Sequence, residues 1–243
     1  MKKTLLSLLA VGSLFASNYA HSSWSYSGNT GPSHWGDLKP EYQMCKIGKN
    51  QSPVNITNEV KASLTPLKVN YDVKAYEFLN NGHTLKAKMK KGGELYIDGK
   101  EFKLLQFHFH TPSENTIEGK YFPMEAHFVH ASKDGELAVV SVMFKNGKYN
   151  ATMQKLIDNM PKHAGDYKNI CKTNLKAKDL LPQNLDYYRF NGSLTTPPCT
   201  EGVRWFVLKT PVEMSKKQIE AFEKVMGKNN RPTQPLNARV ILK

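Results

Sequence analysis

The chain has 243 residues, with 34 lysines and arginines against 21 acidic residues and a formal net charge of +13. That length suits one large domain or two small ones. The basic residues are scattered, without the aromatic interleaving of single-strand nucleic-acid binders, and no run beyond the N-terminus is apolar for long enough to span a membrane.

Lys2 and Lys3 precede an apolar stretch over residues 5–16, which gives way to small and polar residues up to Ala20. This is the layout of a secretory signal peptide. Residues 1–20 are therefore expected to be removed, and residues 21–243 to form one exported domain, periplasmic or extracellular. Subtracting the two lysines takes the net charge from +13 to +11, a solvated cationic surface. Three cysteines remain, Cys45, Cys171 and Cys199. Export favours one disulfide and leaves one thiol over, and spacing does not choose the pair. No Cys-x-x-Cys is present, which disfavours a thiolate zinc site or thioredoxin-like redox chemistry.

Residues 24–53 are aromatic and turn-rich, with Trp24, Tyr26, Trp35 and Tyr42 among Gly28, Gly31, Pro32 and Pro40. They read as irregular chain laid over a core, with both tryptophans as packing. Leu85, Ala87 and Met89 then alternate with lysines, Lys91-Gly92-Gly93 turns the chain, and Leu95 and Ile97 resume the alternation. This predicts a hairpin with one wet face. Asp98-Gly99 turns into a strand over residues 102–111. The near-continuous apolar run over residues 137–144 predicts a buried central strand. Met153, Leu156, Ile157 and Met160 follow helical spacing up to Pro161. Ser215 and Gln218 form a capping box ahead of a second helix that ends at Gly227. The expected fold is mainly β (α+β): a large, mostly antiparallel twisted central sheet with a few short surface helices.

Two stretches carry the chemistry, QFHFHT at Gln106–Thr111 and EAHFVH at Glu125–His130. On strands the period of two puts Gln106, His108 and His110 on one face and Phe107 and Phe109 on the other. Glu125, His127 and Val129 likewise share a face. If the strands are neighbours, three imidazoles converge. Three neutral imidazoles leave the fourth tetrahedral position of a zinc ion open. Gln106 and Glu125 are placed to accept the second N–H of such ligands. His130 faces away from His127 and reads as a satisfied core or interface histidine. His21, His34 and His163 read as loop or surface residues.

Further motifs are QSPVNI at Gln51–Ile56, NNGH at Asn80–His83, PSEN at Pro112–Asn115, NGSLTTPPCTE at Asn191–Glu201 and NNRPTQPL at Asn229–Leu236. With the two histidine strands, in this order, they resemble the α-class carbonic anhydrases, particularly the exported bacterial ones. The resemblance implies one zinc ion per chain, held by His108, His110 and His127, whose hydroxide attacks carbon dioxide to give bicarbonate and a proton. It makes Gln106, Glu125 and the carbonyl of Asn229 partners of the ligands. Thr195 and Glu114 become the pair that orients the hydroxide, and His83 the proton shuttle. Val129, Val139, Leu194, Val203 and Trp205 match the apolar wall where carbon dioxide rests. Thr196 lines the same substrate site, and with Tyr26 and Asn81 it organises a water chain. Cys45 and Cys199 match the disulfide of bacterial members, and the Ser52–Pro53 and Pro197–Pro198 bonds match cis bonds. Sulfonamides and small anions are implied as inhibitors. No nucleic-acid partner is expected, and a homodimer is left open.

The chain departs from the family pattern at Asn115, where relatives carry histidine, and at Lys86, where they carry an amide. Lys86 is expected to depress the pKa of His83. A rival reading is a cupin, since His108-x-His110 followed by Glu114 resembles its first motif, but the second motif is missing. A zinc carrier would show a His-rich tract, which is absent. Inactive relatives of the family lose a zinc histidine, and all three are present.

Overall fold

A computed structural model describes residues 23–243. The signal peptide expected over residues 1–20, and His21, lie outside the described residues. Two one-turn helices come first, α1 (Trp35–Leu38) and α2 (Met44–Ile47). The strands of the first half are β1 (Asn55–Ile56), β2 (Lys68–Asn70), β3 (Ala75–Asn80), β4 (Leu85–Met89), β5 (Glu94–Ile97), β6 (Lys100–His110) and β7 (Thr116–Ile117). Then follow β8 (Met124–Ser132), β9 (Leu137–Asn146), α3 (Ala151–Asp158), β10 (Tyr167–Asn169), β11 (Tyr187–Ser193), β12 (Glu201–Leu208), β13 (Val212–Met214) and α4 (Lys216–Met226).

Among the described residues eleven strands form one sheet, with the main path β10-β3-β4-β6-β8-β9-β12-β11. All its pairings are antiparallel except those of β12 and β13 with β9. The mainly-β, mostly antiparallel architecture with few short helices is therefore as the residues predict. β9 is the buried central strand, flanked by β8 on one side and by β12 and β13 on the other. α3 stops at Asp158, short of the expected Met160, whereas both ends of α4 are where the sequence puts them. Ser215 accepts from the backbone N–H of Gln218 and Gln218 returns the bond, and Gly227 ends α4 at φ 64°, a backbone region that suits glycine.

The predicted hairpin between β4 and β5 does not form. Both strands pair with β6, β4 against residues 106–108 and β5 against residues 100–103. They lie end to end along one edge of an eleven-residue strand. The turn at Lys91–Gly93 therefore carries the chain along that edge instead of folding it back. Alternating apolar residues look the same in either arrangement, because they report a wet face and not a neighbour. The true hairpin is β5–β6, closed by Asp98 and Gly99, both at positive φ.

β6 carries one irregularity that sets the rest. Its pairing with β8 shifts between Leu104 and Gln106, leaving Leu105 as the extra residue of a bulge. Below it Phe102 and Leu104 point into the main core, and above it Phe107 and Phe109 do. The even-numbered residues thus change faces at Leu105. Gln106, His108 and His110 are turned to the opposite side, where a second apolar cluster lies around Val139, Val203 and Trp205.

His130 is fully buried on the core side, as expected for a satisfied core histidine. Its Nδ1 donates to the carbonyl of Ala138, and its Nε2 lies 2.5 Å from the Tyr71 hydroxyl, which donates to it. Burial lowers its pKa to about 4, against about 6.5 unfolded. The unfolded chain binds the proton first, so stability is lost as pH falls from about 6.5 toward 4. Between about pH 7 and about pH 5 this group should cost on the order of 2 kcal/mol. Urea unfolding of the zinc-loaded protein should show a shallower pH dependence in H130Q. An unchanged slope would rule the assignment out.

Cys45 and Cys199 form a disulfide, buried beside Trp35, and Cys171 is free and half-buried. Ser52–Pro53 and Pro197–Pro198 are cis as expected, and so is Thr111–Pro112, which was not foreseen. No helix among the described residues is long and apolar enough to cross a membrane.

Candidate metal centre

β6 and β8 are neighbours, and His108 stands directly opposite His127. One nitrogen from each of His108, His110 and His127 lies within 4.8 Å of the other two. Each ring is held by its other nitrogen. His108 Nδ1 donates to Gln106 Oε1 at 2.9 Å, and His110 Nδ1 to the carbonyl of Asn229 at 2.7 Å. His127 Nε2 lies 3.0 Å from Glu125 Oε1. Elimination leaves Nε2, Nε2 and Nδ1 facing one another.

These nitrogens fit a metal ion better than a polar core. His110 Nε2 is buried and has no hydrogen-bond partner, which a packed interior rarely tolerates. Burial holds His108 well below the ordinary histidine range, and the neighbouring charges of His110, His127 and Lys86 push the same way. Burial also lowers His110. Burial thus favours the neutral form of these two rings, the form that binds zinc.

Glu125 anchors the arrangement from β8. It is fully buried and accepts from the backbone N–H groups of Glu114 and Asn115, the Asn115 side-chain amide and the Ser141 hydroxyl. Burial alone would raise its pKa, but His127 and these donors outweigh it and bring it to about 2. Asn115, the departure from the family pattern, therefore supplies a donor to Glu125 and needs no titration to do so. Ser141 was missed by sequence reasoning, although it sits opposite His127 in register on β9.

Glu114 is also fully buried. Its Oε1 accepts from the backbone N–H of Arg231, and its Oε2 lies 3.4 Å from His110 Nε2 with no hydrogen-bond donor. Burial raises its pKa to about 7, against the favourable pull of His127 and of the Arg231 N–H. A cation among the three nitrogens would pull it back down. Arg231 was not singled out from the sequence. Its guanidinium is buried and donates to Gln51, to the Ser52 carbonyl and to the Cys45 carbonyl. It thereby joins the disulfide segment to the residue that holds Glu114.

The predicted apolar wall is contiguous. Val139, Val203 and Trp205 belong to the second cluster, with Val129 and Leu194 packed against it. The Trp205 ring meets His127 edge-on at 4.9 Å. Gly192 keeps this wall close: a Cβ there would lie 2.1 Å from Ser52 Oγ and 2.9 Å from the Trp205 ring. Thr195 is buried and Thr196 half-buried, and the Thr196 carbonyl accepts from Cys199 N–H. Tyr26 lies within electrostatic reach of Glu114, and burial raises its pKa well above the usual value.

His83 is at the edge of this group. Asn81 accepts from the N–H groups of His83 and Thr84, so its side-chain oxygen shapes the loop, and Asn229 donates to the His83 carbonyl. The His83 ring lies flat on Trp24, centroids 3.6 Å apart and planes 3° apart. Trp24 packs as expected, and His83 is among the rings it packs against. Burial lowers the His83 pKa to about 4. The expected action of Lys86 on His83 is not found among the described residues, where burial lowers the His83 pKa and the charge of Lys86 is felt at His108. The register explains it, since Lys86 pairs with His108.

The chain matches the eukaryotic-type carbonic anhydrase family over residues 30–243. It is 45% identical over 238 residues to a carbonic anhydrase of Pectobacterium atrosepticum, covering 98% of this chain and 96% of the relative. It is 46% identical over 242 residues to one of Neisseria gonorrhoeae, covering 98% and 95%. Among solved structures, the α-carbonic anhydrase of Thermovibrio ammonificans in complex with sulfanilamide superposes with a TM-score of 0.88 at 55% identity, covering 90% of this chain and 98% of that one.

Proposed function

The chain belongs to the eukaryotic-type, or α-class, carbonic anhydrases, and from that premise we propose that it hydrates carbon dioxide at one zinc ion held by His108, His110 and His127. The observation that carries this is the trio of convergent nitrogens, with His110 Nε2 buried and without a hydrogen-bond partner. Bound zinc would supply the Lewis acidity that ionises water near neutral pH.

The chain's residues do the rest. Three neutral donors leave a divalent ion its whole charge, which a carboxylate or thiolate would offset. Gln106, Asn229 and Glu125 fix which nitrogen of each ring faces inward. An ionised Glu114 only accepts, so the Thr195 hydroxyl donates to it and turns its lone pairs toward the substrate side. Val129, Val139, Leu194, Val203 and Trp205 offer an apolar seat to a substrate with no charge to grip. Tyr26, Asn81 and Thr196 order the waters leading outward.

His83 carries the proton from those waters to solvent. Stacked on Trp24, with its pKa near 4, it is a poor acceptor near neutral pH. A ring freed from the stack returns toward about 6.5 and accepts readily. Sulfonamides and small anions should compete for the metal centre. The disulfide accords with export to an oxidising compartment.

Stopped-flow hydration assays test the reading. Turnover should need about one zinc per chain, fall to background with a chelator and be blocked by sulfanilamide. H83A should lose up to about 10²-fold in weak buffer and regain much of it with added imidazole. Zinc-independent turnover would sink the proposal, and an H83A variant indifferent to buffer would remove the shuttle from it.

A further inference from the structure

The site face of β4 carries two lysines, and they differ. Lys88, opposite Gln106, is neutralised by Glu77 of β3, whose carboxylate lies 2.7 Å from its ammonium. Lys86 stands directly opposite His108 on one side and Leu79 on the other. Opposed residues on antiparallel strands project to the same face with Cβ atoms roughly 5 Å apart. Lys86 therefore rises beside the first of the three histidines. Among the described residues its ammonium makes no hydrogen bond or ion pair. It is half-buried, and burial lowers its pKa, with Lys88 adding to the effect and Glu77 opposing it. A cation partly stripped of water and lacking a counter-ion is costly to keep, and the neutral substrate gains nothing from it. The product of the reaction is an anion.

We propose that Lys86 forms an anion subsite beside the metal centre, which holds small monovalent anions such as bicarbonate against the His108 side of the cavity. The proposal rests on the zinc-centre reading above and adds a determinant of selectivity to it. Because carbon dioxide is uncharged, the lysine acts on the bound anion alone. Equilibrium ties kcat/KM in the two directions together. Lys86 therefore lowers KM and kcat for bicarbonate in parallel and makes the enzyme more sensitive to product and to inhibitory anions.

The test is calorimetric titration of zinc-loaded protein with thiocyanate at constant ionic strength, with zinc content measured on every sample. K86Q should weaken thiocyanate binding by about tenfold, K86R should retain most of it, and K88Q, with the same change in net charge, should leave it within about twofold. Bicarbonate kinetics should show KM rising in K86Q at nearly constant kcat/KM. Equal thiocyanate affinity in wild type and K86Q, both carrying one zinc, would overturn the subsite and leave the zinc enzyme standing. Equal weakening by K86Q and K88Q would overturn it too, because general charge would then be the cause. A wild type that holds no zinc and turns over no carbon dioxide would instead overturn the zinc-centre reading.

Discussion

H110A is expected to yield a protein that folds but retains no zinc and loses roughly 10³- to 10⁴-fold in carbon dioxide hydration, the several kcal/mol of barrier that a metal centre supplies. His110 is the most enclosed of the three donors, at 1% exposure, and its inner nitrogen has no hydrogen-bond partner. Truncation removes that donor and frees the Asn229 carbonyl from its bond with Nδ1. The remaining pair, His108 and His127, cannot close a tetrahedral site. The folding cost is contained, because the Asn229 side chain still bonds Thr111, His83 and Phe109. Metal analysis after dialysis, read beside stopped-flow turnover, checks both parts. Full zinc content in H110A would show that the three nitrogens are not the metal's ligands.

E125A should be the most damaging substitution outside the ligands. Four donors end on this one buried carboxylate, and His127 Nε2 lies 3.0 Å from it. Removing it leaves these donors without an acceptor in a dry interior, a loss on the order of 3–5 kcal/mol of stability. Zinc affinity should fall about 10- to 100-fold, as when the outer partner of a ligand is lost, because His127 is then free to rotate and to change tautomer. E125Q keeps one oxygen but turns an N–H₂ toward donors, so it should fall between wild type and E125A. Chelator competition gives the affinity and urea unfolding the stability. Wild-type zinc affinity in E125A would mean that His127 is oriented by something else.

Much of this centre was legible from residue type and spacing. Phe107, Phe109 and Phe128 alternate with polar residues, and a period of two makes their opposition to the histidines unavoidable. The ends of α4 were equally plain, since a capping box and a terminal glycine are local chemistry. Partnership was harder to read. The alternation in β4 and β5 names a buried face but not the strand that covers the edge, so two strands sharing β6 resembled a hairpin. Asn115, Ser141 and Arg231 act through contacts made by the folded chain, two of them from far along it. No local pattern marks a residue as the donor to a distant carboxylate. The flat contact between Trp24 and His83 joins segments some sixty residues apart, and tryptophan in an irregular stretch gives no sign of what it will cover. The bulge was visible after all, in a switch of apolar residues from even numbers at Phe102 and Leu104 to odd at Phe107 and Phe109.

That single surplus residue at Leu105 divides one strand into two jobs. Below it the strand turns Phe102 and Leu104 into the interior they share with Tyr71, and above it the opposite side carries Gln106, His108 and His110. Mutations can accumulate in the lower half, for tighter packing or greater heat resistance, without rotating the donors. A deletion at Leu105 would leave Leu104 inward and Gln106 outward in unbroken alternation, so the imidazoles should keep their side and the strand should lose only its local bend.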